Sequence, residues 1–166
     1  MRIALVSIIA FACILIIQVS FVVSLPWPLN TMPILLAVTV YLVQYRGQYQ
    51  VAWWLVGYGL WVDLFAIHFT PADSIAYAVA MLALLALLRK FFTNRSLYGI
   101  LACGLTVLFI KDVASFAITT CVQLFDARVP SVEWSVFAWE AVFAVVLLGV
   151  CFTFAKRIDV LIRSQA

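Results

Sequence analysis

Four ionisable side chains lie inside otherwise apolar stretches of this 166-residue chain: Asp63, Lys111, Asp112 and Glu140. A charge at the centre of a bilayer costs about 3 kcal/mol or more, so such residues are usually paired or functional. One amine among three carboxyl groups has three possible uses. The groups can form ion pairs that join helices, line a polar cavity in which water reaches the surplus acid, or form part of an ion or proton pathway. We expect the four side chains to meet in one layer near the middle of the membrane.

The composition defines the environment of these residues. Hydrophobic residues make up 67% of the chain and charged residues 10%, against about 45–50% and about 25% in soluble domains. A soluble fold of this length lacks the polar surface that it would need to cover so much apolar area. The sequence therefore predicts an all-α integral membrane protein that forms a single domain over residues 1–166.

Apolar stretches of membrane-spanning character predict six transmembrane helices. The first ends at the Pro26-Trp27-Pro28 turn, where two prolines stop the helix. The fifth is longer than one membrane thickness requires, so it must tilt, protrude or break, and Lys111-Asp112 is the expected place for a break. The six predicted spans cover residues 3–25, 31–45, 51–69, 74–88, 97–125 and 132–155.

The basic residues predict the orientation. The net charge of +3 comes from residues beside the ends of the apolar stretches, which is typical of membrane topology rather than of nucleic-acid binding. With the N-terminus in the cytoplasm, the outer side keeps only Arg128, so both termini are predicted to be cytoplasmic. The cytoplasmic set is Arg2, Arg46, Arg89, Lys90, Arg95, Lys156, Arg157 and Arg163.

The remaining motifs favour packing over chemistry. Gly57 and Gly59 flank Tyr58, and in a membrane helix such glycines permit a close approach of two backbones. The four cysteines stand singly in apolar stretches, where cysteine is a small hydrophobic residue. The sequence contains no Ser-His-Asp set, phosphate loop or metal-ligand cluster. It therefore predicts neither an enzyme nor a cofactor.

Several of these features together resemble the rod-shape-determining MreD family, which consists of small bacterial inner-membrane proteins of similar length and span count. The family shows a glycine pair followed by Asp-Leu-Phe or a similar sequence, and this chain has Gly57 and Gly59 before Asp63. The other residues that carry the resemblance are Gln18, the Pro26-Trp27-Pro28 turn, Pro33, Tyr41, Leu64, Phe65, Tyr77, Asn94, Arg95, Asp112 and the basic C-terminus.

The resemblance implies a noncatalytic component of the cell-wall elongation machinery in the bacterial inner membrane. It implies a periplasmic coiled-coil cell-shape protein and other membrane proteins of the elongation complex as partners, and neither nucleic acid nor a small-molecule substrate. It also implies a fold similar to the six-helix S-components of energy-coupling-factor vitamin transporters. Asp63, Lys111, Asp112 and Glu140, with Gly57 and Gly59, are the expected intramembrane sites for helix packing or partner binding.

Two alternatives remain open. The first is a substrate-binding membrane subunit of a vitamin or metal-ion uptake transporter, whose outward-facing cavity would be lined by Trp61, Asp63, His68 and Glu140. The second is a helical membrane protein whose buried charges serve assembly alone. A ligand-dependent rise in thermal stability would distinguish the transporter subunit from the other two.

Overall fold

A computed structural model of the protein describes residues 2–65, 71–91, 96–125 and 134–164, and all regular secondary structure in these ranges is helical. Within these ranges six α-helices follow one another, and short π- or 3-10-helical segments precede or extend three of them. The elements are α1 (Arg2–Ile16) with a π-helical extension (Ile17–Val22), a 3-10 turn (Leu29–Thr31), α2 (Ile34–Arg46), a 3-10 turn (Tyr49–Ala52), α3 (Trp53–Phe65), α4 (Ala72–Lys90), α5 (Leu97–Phe125) and α6 (Trp134–Ser164).

Four segments of the described chain are long and apolar enough to cross a membrane: Leu5–Val22, Ala72–Lys90, Leu97–Gln123 and Trp134–Phe154. By contrast, α2 and α3 have 13 residues each. At about 1.5 Å per residue each is about 20 Å long, which is less than the hydrocarbon thickness of about 30 Å. The protein is thus all-helical in its described parts, with four helices of membrane-crossing length.

Of the three possibilities for the long fifth span, the break at Lys111-Asp112 does not occur. Helix α5 runs for 29 residues from Leu97 to Phe125 without interruption. Lys111 and Asp112 do not disturb its backbone hydrogen bonds, because their side chains find ionic contacts beside the helix rather than in its backbone. The whole apolar stretch therefore forms one long helix.

The short helix α2 lies in the centre of the bundle, in contact with α1, α3, α5 and α6. Eight of its 13 residues are buried, so neighbouring helices rather than lipid surround most of it. It ends at Gly47, which has a φ of 71° and whose N–H bonds to the Leu42 carbonyl. That left-handed conformation favours glycine and closes the helix by satisfying one of its last carbonyls.

The faces of α4 and α5 that meet the bundle repeat every three or four residues, as expected for one side of a helix. On α4 the buried residues include Ala76, Ala80, Leu84 and Leu88. On α5 they are Ile100, Cys103, Val107 and Leu108, and Lys111 continues the same face. The buried lysine is therefore placed by helical periodicity on the inner side of α5.

Candidate functional site

Lys111 is the centre of the polar site. Its side chain is 10% exposed, and its Nζ lies 2.6 Å from Asp112 Oδ1 and 2.8 Å from Glu140 Oε2. One amine between two carboxylates leaves one surplus negative charge when all three are ionised. The second oxygen of Asp112, Oδ2, is buried and has no hydrogen-bond partner in the described part of the chain.

The helices that carry these residues explain the contact. Lys111 follows Val107 by one turn on the inner face of α5, near the middle of the Leu97–Gln123 span. Glu140 precedes the buried Ala144 by one turn on α6. Because α5 and α6 pack along these faces, their two side chains meet. The ion pair therefore joins two helices at mid-span.

Two tyrosines complete the surroundings of the amine. Lys111 Nζ lies 5.8 Å from the ring centre of Tyr77 on α4, a distance at which an aromatic ring attracts a cation. The Tyr77 ring in turn meets Tyr58 of α3 edge to face, with 5.1 Å between the ring centres. The site thus reaches from α6 through α5 to α4 and α3.

Asp63 is not part of this ion cluster, which corrects the expectation that all four residues meet. Its Oδ1 accepts a hydrogen bond from the backbone N–H of Asp73 at 3.1 Å, and its Oδ2 one from Ser74 at 2.7 Å. These groups lie in the first turn of α4, whose preceding residue, Pro71, provides no side-chain cap. A carboxylate is favourable there because the first N–H groups of a helix are unpaired and carry partial positive charge. Asp63 therefore caps α4 from the end of α3.

Gly59 lies one turn before Asp63 on the same face of α3. A Cβ atom at Gly59 would lie 2.8 Å from the carbonyl oxygen of Asp73, 2.9 Å from Ser74 Cα and 3.0 Å from Tyr77 Cβ. These distances leave no room for any side chain, as the sequence predicts for a close approach of two backbones. Gly57 faces a different neighbour, since its Cβ would lie 3.1 Å from the ring of Phe11 on α1.

Gln18 is a further polar residue of the site, and the sequence did not predict its hydrogen-bond partners. Its Nε2 donates to the Met32 carbonyl at 2.8 Å, and its Oε1 accepts from the backbone N–H groups of Ile34 at 3.0 Å and Leu35 at 3.4 Å. Gln18 thus caps the start of α2 from the π-helical extension of α1. The sequence signals for Gln18 are its place inside an apolar span and its part in the resemblance to the MreD family.

A cavity of about 90 Å³ lies beside this cap and is lined by Gln18, Tyr58, Tyr77 and Glu140, among others. Binding sites for organic ligands usually have about 300 Å³ or more, so this cavity is suited to a few water molecules. Neither Trp61 nor Asp63 lines it, and His68 lies outside the described residues. Of the residues predicted to line the cavity of a transporter subunit, this cavity therefore has Glu140 alone among those that the structure describes.

We compared the chain with protein-family models, with curated proteins and with solved structures, and none of the three comparisons found a match. The likeness to the MreD family stays a prediction from the residues given above.

Proposed function

We propose that this protein is a noncatalytic membrane scaffold of the bacterial cell-wall elongation machinery. It resides in the inner membrane, contacts a periplasmic coiled-coil cell-shape protein and holds other membrane proteins of the elongation complex in place. The assignment to this machinery rests on the sequence likeness to the MreD family. The scaffold role is supported by the way in which the chain uses its buried polar groups.

One observation supports the scaffold role most directly, and it is the Lys111 cluster. Its amine is held by the carboxylates of two helices, at 2.6 and 2.8 Å, while Asp63 and Gln18 cap neighbouring helices. These contacts fix helices relative to one another. A bundle held in this way presents a constant outer surface, which is what a scaffold offers to other membrane proteins.

We further propose that all six helices cross the membrane and that both termini are cytoplasmic, as the distribution of Lys and Arg favours. The short helices α2 and α3 are then accommodated by the 3-10 turns beside them and by local thinning of the bilayer. The central position of α2 supports this arrangement, because a helix surrounded by other helices need not match the lipid thickness. The overall arrangement would be similar to that of energy-coupling-factor S-components.

The test is made in a rod-shaped bacterium that carries this chain. Depletion of the protein should turn rods into spheres, and re-expression should restore the rods. An affinity-tagged copy, extracted in mild detergent, should carry a coiled-coil cell-shape protein with it. Normal rods after complete depletion, together with no such protein in the eluate, would refute the assignment.

The same purified protein also tests the transporter alternative. A screen of vitamins and divalent cations by thermal shift should leave the melting temperature unchanged for a scaffold. A reproducible rise of several degrees with one compound would instead support a substrate-binding subunit.

A further inference from the structure

An apolar groove lies where the outer faces of α5 and α6 meet. It has a volume of about 230 Å³ and contains one polar lining residue, Asp112. The apolar part of its lining is aromatic or branched, and several of these side chains are about half exposed or more. The apolar lining residues are Phe109, Val113 and Phe116 on α5 and Trp134 and Phe137 on α6.

The groove contains an unsatisfied acceptor. Asp112 Oδ1 binds Lys111, but Oδ2 is buried without a hydrogen-bond partner among the described residues. Lipid tails have no donor to offer, and a polar group left unpaired in hydrocarbon costs several kcal/mol. When all three groups are ionised, the cluster of one amine and two carboxylates also has one surplus negative charge. An occupant that brings a cationic donor to the Asp112 carboxylate would supply the missing hydrogen bond and offset the surplus charge.

The acceptor is one of three polar atoms in a line. Thr120 Oγ1 and Gln123 Oε1 are also buried without a partner, and they follow Asp112 by 8 and 11 residues. This spacing keeps all three on one face of α5, with Phe116 between them. At about 1.5 Å per residue, the two atoms lie about 12 and 17 Å further along the helix. Thr120 and Gln123 do not line the groove, whereas Asp112 does, near the middle of the Leu97–Gln123 span. A second transmembrane helix reaches this depth, and a lipid headgroup does not.

We propose that the groove between α5 and α6 is the docking site for a transmembrane helix of another protein, which carries one Lys or Arg at mid-membrane depth. The cationic side chain pairs with the carboxylate of Asp112, whose side chain is 24% exposed, and apolar side chains of the same helix fill the groove beside Phe109 and Phe116. A second copy of this chain is a poorer occupant, because two parallel α5 helices would bring Asp112 against Asp112. This inference rests on the proposed scaffold function and defines its contact surface.

The test uses synthetic helices in vesicles. The purified full-length protein, labelled with a fluorescence acceptor, is reconstituted in phosphatidylcholine vesicles with a donor-labelled polyleucine transmembrane peptide. One peptide has a single Lys at its centre, and the other is leucine throughout. The Lys peptide should associate about three- to tenfold more tightly, as interhelical polar contacts of this kind do. Asp112→Asn should remove most of that preference.

Two matched variants show whether the groove itself is used. Val113 is 50% exposed in the groove, and Val146 is 54% exposed on α6, nine residues and therefore half a turn around the helix from Phe137. Val113→Trp should fill the groove and abolish association of the Lys peptide, whereas Val146→Trp should leave it unchanged. Circular dichroism checks that both variants fold.

Three results would overturn the proposal. The first is equal association of the two peptides with the wild-type protein, and the second is equal loss, or equal retention, in the two Trp variants. The third comes from vesicles without peptide that contain donor-labelled and acceptor-labelled copies of the protein. Energy transfer between these copies that Val113→Trp removes would show that the occupant is a second copy. None of these results bears on the depletion phenotype, so the scaffold function is judged separately.

Discussion

Gly59 and Asp63 lie one helical turn apart on the same face of α3, and both contact the first turn of α4. The glycine leaves space for the backbone of Asp73 and Ser74, and the aspartate accepts hydrogen bonds from the N–H groups of the same two residues. The close approach and the cap depend on each other, because the carboxylate reaches the N–H groups only when the helices are this near. The residues of the Gly-x-x-x-Asp spacing thus form a single contact between α3 and α4.

Substitution of Gly59 should push α3 and α4 apart at this contact. In Gly59→Ala the new Cβ would overlap backbone atoms that cannot rotate away, so we expect a loss of about 1–3 kcal/mol in the free energy of unfolding. Unfolding by sodium dodecyl sulfate in mixed micelles measures the change. Gly149→Ala is the control, since nothing lies within 4 Å of a Cβ there. A Gly59→Ala variant as stable as Gly149→Ala would contradict the close approach.

Loss of the carboxylate should loosen the start of α4. In Asp63→Asn one oxygen and the negative charge are lost, and in Asp63→Leu both acceptors are lost, so we expect losses of stability of about 1 and about 2 kcal/mol. Hydrogen exchange should quicken at the amides of Asp73 and Ser74. The Gly99 amide in the first turn of α5 donates to Oγ of Ser96, the residue before the helix, and provides an internal reference that should not change. Unaltered exchange at Ser74 in Asp63→Leu would exclude the cap.

Removal of the buried amine should be the most damaging single change. Lys111→Met leaves two carboxylates close together without a counter-charge, and breaking a buried ion pair in this way costs about 3–5 kcal/mol. The triple variant Lys111→Met, Asp112→Asn, Glu140→Gln removes the charges together and should recover most of that loss. Lys90→Met, at an exposed position at the end of α4, should change stability by less than about 0.5 kcal/mol.

Comparison of the single and triple variants distinguishes unpaired charge from lost packing as the cause of the instability of Lys111→Met. If the triple variant is no more stable than Lys111→Met, the loss comes from packing of the lysine side chain and not from unpaired charge.

Substitution of the buried glutamine should separate α1 from α2. Gln18→Leu leaves the Met32 carbonyl and the Ile34 N–H without their side-chain partner, and each unsatisfied buried group costs about 1–3 kcal/mol. We expect lower stability and faster proteolysis between the two helices. Gln50→Leu, at an exposed position, is the matched control. Equal proteolysis of the two variants would show that the cap is dispensable.

The sequence predicted the helical membrane character, the span over residues 97–125 and the buried ion pair, because hydropathy and the cost of buried charge act locally along the chain. It did not predict where Asp63 binds, since its partners are backbone N–H groups that any residue provides. The break considered at Lys111-Asp112 does not occur, for a related reason. A charged residue is tolerated in a continuous membrane helix when another helix supplies its counter-charge. The sequence alone does not show which helix packs beside Lys111.

The ion pair between α5 and α6 also bears on biosynthesis. An amine at mid-depth of α5 has one carboxylate beside it in the same helix, but its other comes from the helix that follows in the chain. Until α6 emerges from the ribosome, Lys111 lacks the Glu140 counter-charge. Transfer of α5 alone into lipid is therefore unfavourable, and α5 should remain at the translocation channel. Membrane integration of the two helices is then expected to be a paired event.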